Sequence, residues 1–121
     1  MKKLFLTSAV LLALCATAHA DALPKPMQGR WCFIEEQDQT QIYARADNYA
    51  PGQLECSIGI NIRAHSYDGN EYGCTIDKVA KREDAYDVRA SCEGDPQGRH
   101  YTDHSVFEIS HGELFISPPM Q

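Results

Sequence analysis

The chain has 121 residues and a formal net charge of -6 at neutral pH, with 17 acidic residues against 11 basic ones. This length predicts one domain with a modest core, and an acidic surface repels phosphate groups, which argues against nucleic acid and anionic lipid as partners. The charge would favour a basic protein or a cation, although it would equally keep a small exported domain in solution.

The first twenty residues have the pattern of a secretory signal peptide. Lys2 and Lys3 form a charged start, an apolar stretch runs from Leu4 to Leu14, and Ala18-His19-Ala20 is an A-x-A cleavage site. Cleavage removes two lysines and leaves about 101 residues with a formal charge of about -8. The apolar stretch of about eleven residues is too short to span a bilayer. We therefore expect export to the periplasm or outside the cell, without a transmembrane anchor.

A lipid anchor is the alternative fate of this leader. Leu12-Ala13-Leu14-Cys15 resembles the sequence that bacterial lipoprotein signal peptidase reads, but Leu14 stands where that sequence has Gly, Ala or Ser. Cleavage after Ala20 is therefore favoured, and Cys15 is removed with the leader. Four cysteines then reach an oxidising compartment, and they predict two disulfides: Cys32, Cys56, Cys74 and Cys92.

The mature chain begins with a proline-containing lead-in over residues 21–28, which we expect to be extended, followed by a single β-domain over residues 29–121. Short strands are predicted at Arg30–Ile34 and Gln41–Ala46, on either side of a polar stretch. Strict alternation then predicts one long strand with one buried face. That face carries Leu54, Cys56, Ile58, Ile60, Ile62 and Ala64.

Two hairpins are predicted in the middle of the chain. Asp68-Gly69-Asn70 suits a three-residue loop that places Ile62 opposite Ile76. The strand that follows returns through Lys81–Ala85, which places Ile76 opposite Ala90 and Cys74 opposite Cys92. Opposed cysteines at a non-hydrogen-bonded pair lie close to bonding distance. Of the three pairings that four cysteines allow, we favour Cys74–Cys92 with Cys32–Cys56.

A third hairpin closes the domain. After a loop at Glu93–Gly98, His111-Gly112 suits a two-residue turn that places Phe107 opposite Ile116 and Ile109 opposite Leu114. Seven or so short antiparallel strands predict an all-β fold, a meander closed into a barrel or folded into a sandwich.

The stretch Gly29-Arg30-Trp31-Cys32 carries a family resemblance. Gly-x-Trp at the start of the first strand resembles lipocalins and related calycin barrels, which implies that Trp31 closes one barrel end. The wider pattern resembles small exported bacterial proteins without an assigned function, and implies a periplasmic β-domain with no known active site. That pattern comprises the leader, Gly-x-Trp-Cys, a Cys-x-Ile, Arg89-Ala90-Ser91-Cys92-Glu93-Gly94 and Leu114-Phe115-Ile116.

No motif predicts catalysis, a cofactor or a metal site. His100 and His104 flank Asp103, but residues i and i+4 of a strand lie about 13 Å apart, too far to share one ion. Neighbouring His and Ser residues point to opposite faces of a strand, which disfavours a nucleophilic site. We therefore expect that the protein is not an enzyme.

Two sets of residues are candidates for binding. The predicted registers align Asn61, Asp77 and Arg89 across three strands, with Arg63 diagonal to Asp77, as either a recognition face or an ordinary solvent face. Trp31 and Phe33 either close the barrel or form an aromatic binding surface.

The favoured function is a non-catalytic periplasmic or secreted module that binds or inhibits a protein partner through acidic loops. Periplasmic lysozyme inhibitors are similar in size, compartment and acidity, but the Ser-Gly-Ser loop expected to enter the lysozyme cleft is absent from this sequence. The alternatives are a calycin-like carrier of a small apolar ligand and a structural envelope protein. A carrier needs a cavity of roughly 300 Å³ or more, whereas the apolar residues predicted inside are enough to fill a short barrel.

Overall fold

The computed structural model describes residues 22–46, 56–94 and 98–119. The predicted leader and Cys15 lie outside these residues, so cleavage, export and lipid attachment stay predictions. The described chain forms a closed antiparallel barrel, which confirms the all-β prediction and selects the barrel over the sandwich. The strands are β1 (Gly29–Gln37), β2 (Thr40–Arg45), β3 (Gly59–Ile62), β4 (Ser66–Gly69), β5 (Tyr72–Arg82), β6 (Ala85–Gly94), β7 (Arg99–Ser110) and β8 (Glu113–Ser117).

Around the barrel the strands follow the order β1-β2-β8-β7-β6-β5-β4-β3, and β3 closes the circle on β1. Strands β1 and β2 are longer towards their shared turn than the sequence predicts, since they run through most of the polar stretch between them. The turn is the pair Asp38-Gln39, and both residues have positive φ, as a tight hairpin turn requires. Within the described part of the chain, no helix has the length and apolar character needed to cross a membrane.

The region around β3 and β4 differs from the sequence prediction. Strand β3 is short, and Ile58, predicted on the buried face, is 58% exposed before the strand begins. The chain turns back after Ile62 and forms β4, so Ile62 lies opposite Tyr67, and Tyr67 lies opposite Cys74. The predicted three-residue loop was therefore wrong, as was the pairing of Ile62 with Ile76. Leu54 lies outside the described residues.

Strands β5 and β6 form the longest ladder and confirm the central register. Cys74 lies opposite Cys92, and Ile76 opposite Ala90, as predicted. Beyond Ile76 a bulge at Asp77 shifts the pairing by one residue, so Val88 faces Val79 rather than the predicted Lys78. The bulge keeps both valines fully buried and leaves Lys78 exposed, which is the physical reason for the shift.

The C-terminal hairpin confirms its predicted register. Phe107 pairs with Ile116 and Ile109 pairs with Leu114, around the turn His111-Gly112. Strand β7 begins at Arg99 and pairs with β6 along the whole length of β6. Of the predicted loop at 93–98, residues 95–97 lie outside the description.

Both predicted disulfides are confirmed, Cys32–Cys56 and Cys74–Cys92. Cys74 and Cys92 belong to the interior cluster of the barrel. Cys32 lies between the inward-facing Trp31 and Phe33, so it belongs to the outer face of β1. In the barrel, β1 lies between β2 and β3. The Cys32–Cys56 bridge therefore links Cys56, which lies in the connection from β2 to β3, to strand β1.

The N-terminal segment seals the barrel end at which β1 begins and β2 ends; we call this the closed end. The segment is not extended throughout, because Lys25–Met27 form a 3-10 turn. Leu23 and Met27 are buried against the core, and the Trp31 indole donates a hydrogen bond to the Met27 carbonyl at 2.9 Å. The Arg45 guanidinium lies 4.2 Å from the Trp31 ring centroid and donates to backbone carbonyls of the same segment.

Candidate functional site

The opposite end of the barrel, where β1 ends and β2 begins, opens into a cavity of about 410 Å³, which we call the mouth cavity. Its apolar lining comes from the core, namely Ile60, Cys74, Phe107 and Ile116. Four tyrosines line it as well: Tyr43, Tyr67, Tyr72 and Tyr101. Asp103, Ser105, Gln39 and Gln41 supply most of the remaining polar groups. The cavity is therefore apolar and aromatic in part, with a few convergent hydrogen-bonding groups.

One hydrogen bond spans the cavity between strands that are not neighbours. Tyr67 on β4 donates its hydroxyl to Asp103 Oδ2 on β7 at 2.6 Å, although β5 and β6 lie between those strands. Ser105 donates to the same carboxylate at 3.2 Å. Strand alternation explains the grouping, because Asp103, Ser105 and Phe107 share the inner face of β7. The Tyr67 ring also packs edge-on against Phe107, with centroids 5.3 Å apart.

Three phenols of the mouth, those of Tyr43, Tyr67 and Tyr72, are held in their neutral form. Burial raises the pKa of Tyr67, and the hydrogen bond to Asp103 raises it further. Burial also raises the pKa of Tyr72, and of Tyr43, whose hydroxyl donates to Gln41 Oε1 at 2.9 Å. All three therefore act as uncharged hydrogen-bonding groups at neutral pH.

The electrostatic character of the mouth cavity is negative. Among the described residues that line it, Asp103 is the one carboxylate, and none is a lysine or an arginine. His104 also contributes to the lining, but its Nε2 lies 2.6 Å from Asp87 Oδ1 on the outer face of the barrel. The mouth therefore presents an oriented carboxylate without a basic side chain to neutralise it.

The residues of β7 that were considered for catalysis and metal binding lie on opposite faces of that strand. His104 pairs with Asp87 on the outer face, whereas Asp103 and Ser105 face the cavity. No group of three or more His, Cys, Asp or Glu side chains in the described segments could hold a metal ion. The mouth offers hydrogen bonding and electrostatics. The described residues do contain one Ser-His contact, between Ser110 and His111 at 3.0 Å, but it lies at the exposed β7–β8 turn, away from the cavity lining.

The predicted recognition residues do not form the ladder that the sequence registers gave. Strand β4 separates β3 from β5, so Asn61 lies opposite Asp68 and donates to it at 3.3 Å, and Arg63 forms an ion pair with the same carboxylate. Asp77 occupies the bulge and accepts a hydrogen bond from Ser91 at 2.6 Å. The predicted alignment was wrong because the prediction included neither strand β4, which separates β3 from β5, nor the bulge at Asp77.

Arg89, the remaining member of that set, is exposed on β6 between Lys78 and His104. A recognition role for these residues stays a prediction. Trp31 is 1% exposed at the closed end, and Phe33 packs edge-on against Tyr43, with centroids 5.7 Å apart. These two aromatic residues therefore do not form a shared exposed surface.

Sequence reasoning did not identify the tyrosine mouth. The tyrosines lie on four different strands, and only closure of the barrel brings them together. One signal was present: the alternate positions Tyr101, Asp103 and Ser105 continue the face of the buried Phe107 with polar groups. A strand whose inward face changes from apolar to polar indicates an accessible barrel end.

In comparisons with protein-family models, with curated proteins and with solved structures, no match to this chain was found. The resemblance based on Gly29-Arg30-Trp31-Cys32 stays a prediction. A barrel fold hosts many unrelated functions, so the functional argument depends on the mouth cavity itself.

Proposed function

We propose that this protein is a non-catalytic binding protein that holds a small molecule in the mouth of its barrel. The observation that supports this is the mouth cavity of about 410 Å³, which exceeds the roughly 300 Å³ expected of a ligand site. It has room for on the order of a dozen water molecules. Ile60 and Cys74, two of the residues expected to fill the barrel, line this cavity without filling it.

The lining favours an amphiphilic ligand over the purely apolar cargo considered from the sequence. The half-buried Ile116 and Tyr72 offer apolar surface to the cavity. Asp103, Tyr67 and Ser105 form a hydrogen-bonded group beside it. Apolar surface provides affinity in such sites, and a few fixed polar groups provide orientation. A ligand with one apolar part and one polar part fits this division.

The scaffold is suited to binding because the cavity is held from several sides. The hydrogen bond from Tyr67 to Asp103 crosses the interior, and the Cys74–Cys92 bridge joins two strands beside it. The far end is sealed by the N-terminal segment. A preformed site loses less conformational entropy on binding, which supports affinity for a small ligand.

The site of action that fits this proposal is the periplasm or the cell exterior. Two disulfides are compatible with an oxidising compartment. The leader-like pattern of the first twenty residues supports the same location.

A fragment screen by protein NMR tests the proposal. We expect a subset of amphiphilic fragments to cause saturable shifts at Ile60, Tyr67 and Phe107. The variant Gln41→Trp, on the inner face of β2 at the mouth, should block these shifts. Gln37→Trp, on the same hairpin but outside the cavity lining, is the matched control and should not. If no fragment gives saturable shifts at these residues, or if Gln41→Trp binds as well as the unmodified protein, the proposal fails.

Binding of a basic protein partner is the second candidate, and one observation favours it. An outer groove of about 790 Å³ runs between the β1–β2 turn, the β5–β6 turn and the segment after β8. Its lining includes four carboxylates, Asp38, Glu83, Asp87 and Glu108, against one arginine, Arg82. Capture of one stoichiometric basic protein from periplasmic extract, lost in Asp38→Asn/Glu108→Gln and at high salt, is the result expected from this candidate.

A further inference from the structure

The tyrosines of the mouth form one cluster rather than isolated wall residues. Tyr43, Tyr67, Tyr72 and Tyr101 come from four strands and line the same cavity. Tyr101 is 42% exposed and extends the cluster to the rim. The faces of aromatic rings carry negative electrostatic potential and attract cations, organic ammonium groups in particular.

A carboxylate stands within this cluster and is already oriented. Asp103 accepts hydrogen bonds from Tyr67 and Ser105, which fix its position on the inner face of β7. Both donors are neutral, so the negative charge of Asp103 is not cancelled by them. A charged acceptor with free lone pairs beside aromatic rings favours a positively charged partner.

The chemistry of the other described lining residues disfavours ligands of the opposite charge. No lysine or arginine among them faces the cavity, and Asp103 would repel an anion. A neutral ligand would gain hydrogen bonds but would leave the carboxylate without a counter-charge. A cation gains from the rings and from the carboxylate together.

From this geometry we infer that the mouth cavity binds a small organic cation, a quaternary ammonium or protonated amine, through the tyrosine rings and the Asp103 carboxylate. This inference rests on the proposed function, since it names the ligand class of the same cavity. The apolar substituents of such a cation contact Ile116 and the ring of Tyr72, which line the cavity and are not fully buried.

Choline and its neutral isostere 3,3-dimethylbutan-1-ol provide the test, because they differ in charge at nearly constant shape. Affinities are measured by calorimetry and by NMR titration of the protein. We expect choline to bind at least about tenfold more tightly than the isostere. Asp103→Asn keeps the shape of the acceptor and should weaken choline binding by about ten- to a hundredfold, with little change for the isostere.

Three further variants distinguish the contribution of the carboxylate to binding from that of the rings. Asp84→Asn changes the same charge in the exposed β5–β6 turn, outside the cavity lining, and should leave both affinities unchanged. Tyr101→Leu removes an accessible ring and should weaken choline binding by about two- to fivefold, whereas Tyr101→Phe should keep it. The Tyr101 pair gives a result even if Asp103→Asn does not fold.

The outcomes distinguish this inference from the proposed function. If the isostere binds as tightly as choline, or if choline does not bind while other fragments do, the cation inference is overturned and the mouth remains a ligand site. Choline binding that survives both Asp103→Asn and Tyr101→Leu also overturns it. If no fragment and neither probe binds at the mouth, the proposed function fails first.

Discussion

Removal of the bridge between Cys74 and Cys92 should be strongly destabilising without changing the fold. The double variant Cys74→Ala/Cys92→Ala opens a loop with a sequence separation of 18 residues. The chain-entropy relation for a loop of this size gives about 3 kcal/mol. Because a domain of this length has a total stability of about 5–15 kcal/mol, this is a large share of it. The melting temperature should fall by about 12–24 °C.

The fold should survive because the bridge reinforces a register that other contacts already specify. Pairing between β5 and β6 continues on both sides of the bridge, and Ile76 opposite Ala90 and Val79 opposite Val88 keep their apolar contacts. We therefore expect the variant to keep its barrel spectrum at 25 °C and to unfold cooperatively at lower urea concentration.

Urea unfolding followed by circular dichroism, without reductant, measures the change in unfolding free energy. The matched variant Cys32→Ala/Cys56→Ala opens a separation of 24 residues and should lose a similar amount by the same relation. A loss below about 1 kcal/mol for Cys74→Ala/Cys92→Ala would refute the reasoning, because the bridge would then not restrict the unfolded chain as assumed. A change in the β5–β6 register, seen by NMR, would refute the claim that side-chain contacts specify it.

Two other perturbations test the mouth and its supporting strands. Burial and the hydrogen bond to Asp103 raise the pKa of Tyr67 above its ordinary value of 10.0, so the stability that neutral Tyr67 contributes is complete below pH 10.0 and is lost as the pH rises further. Above about pH 10 the urea midpoint of Tyr67→Phe should therefore fall less steeply with pH than that of the unmodified protein, and equal slopes would contradict the assignment. Gly94→Ala should lose about 1–3 kcal/mol in urea unfolding, because its Cβ would lie 2.7 Å from the Glu71 carbonyl oxygen and 2.9 Å from Tyr72 Cα. Gly73→Ala, whose Cβ would meet its nearest atom at 3.8 Å, is the control and should be nearly neutral.

Alternation in the sequence predicted the register of the β5–β6 hairpin between Cys74 and Ile76 and that of the β7–β8 hairpin. The pairs Ile76 with Ala90 and Phe107 with Ile116 follow from period two, and both disulfides follow from the first of these registers. The bulge at Asp77 did not follow, because it depends on the curvature that closes the barrel. Strand β4 did not follow either, since Ser66-Tyr67-Asp68-Gly69 contains one large apolar side chain and two good turn residues.

The candidate site was less predictable than the fold for a related reason. Asp103 and Tyr67 are 36 positions apart and meet only across the interior of the closed barrel. Pairwise register between neighbouring strands cannot place them together, because β5 and β6 intervene. The size of the cavity also depends on how the core packs at the closed end, which alternation does not describe.

The seal formed by Leu23 and Met27 determines how the molecule can be handled experimentally. The Leu23 amide is hydrogen-bonded to the Ala64 carbonyl at 2.9 Å, which holds Leu23 at the closed end. An affinity handle or surface tether fused ahead of Ala22 is therefore attached at the pole away from the tyrosines. If the protein is immobilised through that handle, the mouth cavity of every copy is directed towards the solution. Soluble compounds could then be passed over a uniformly oriented layer.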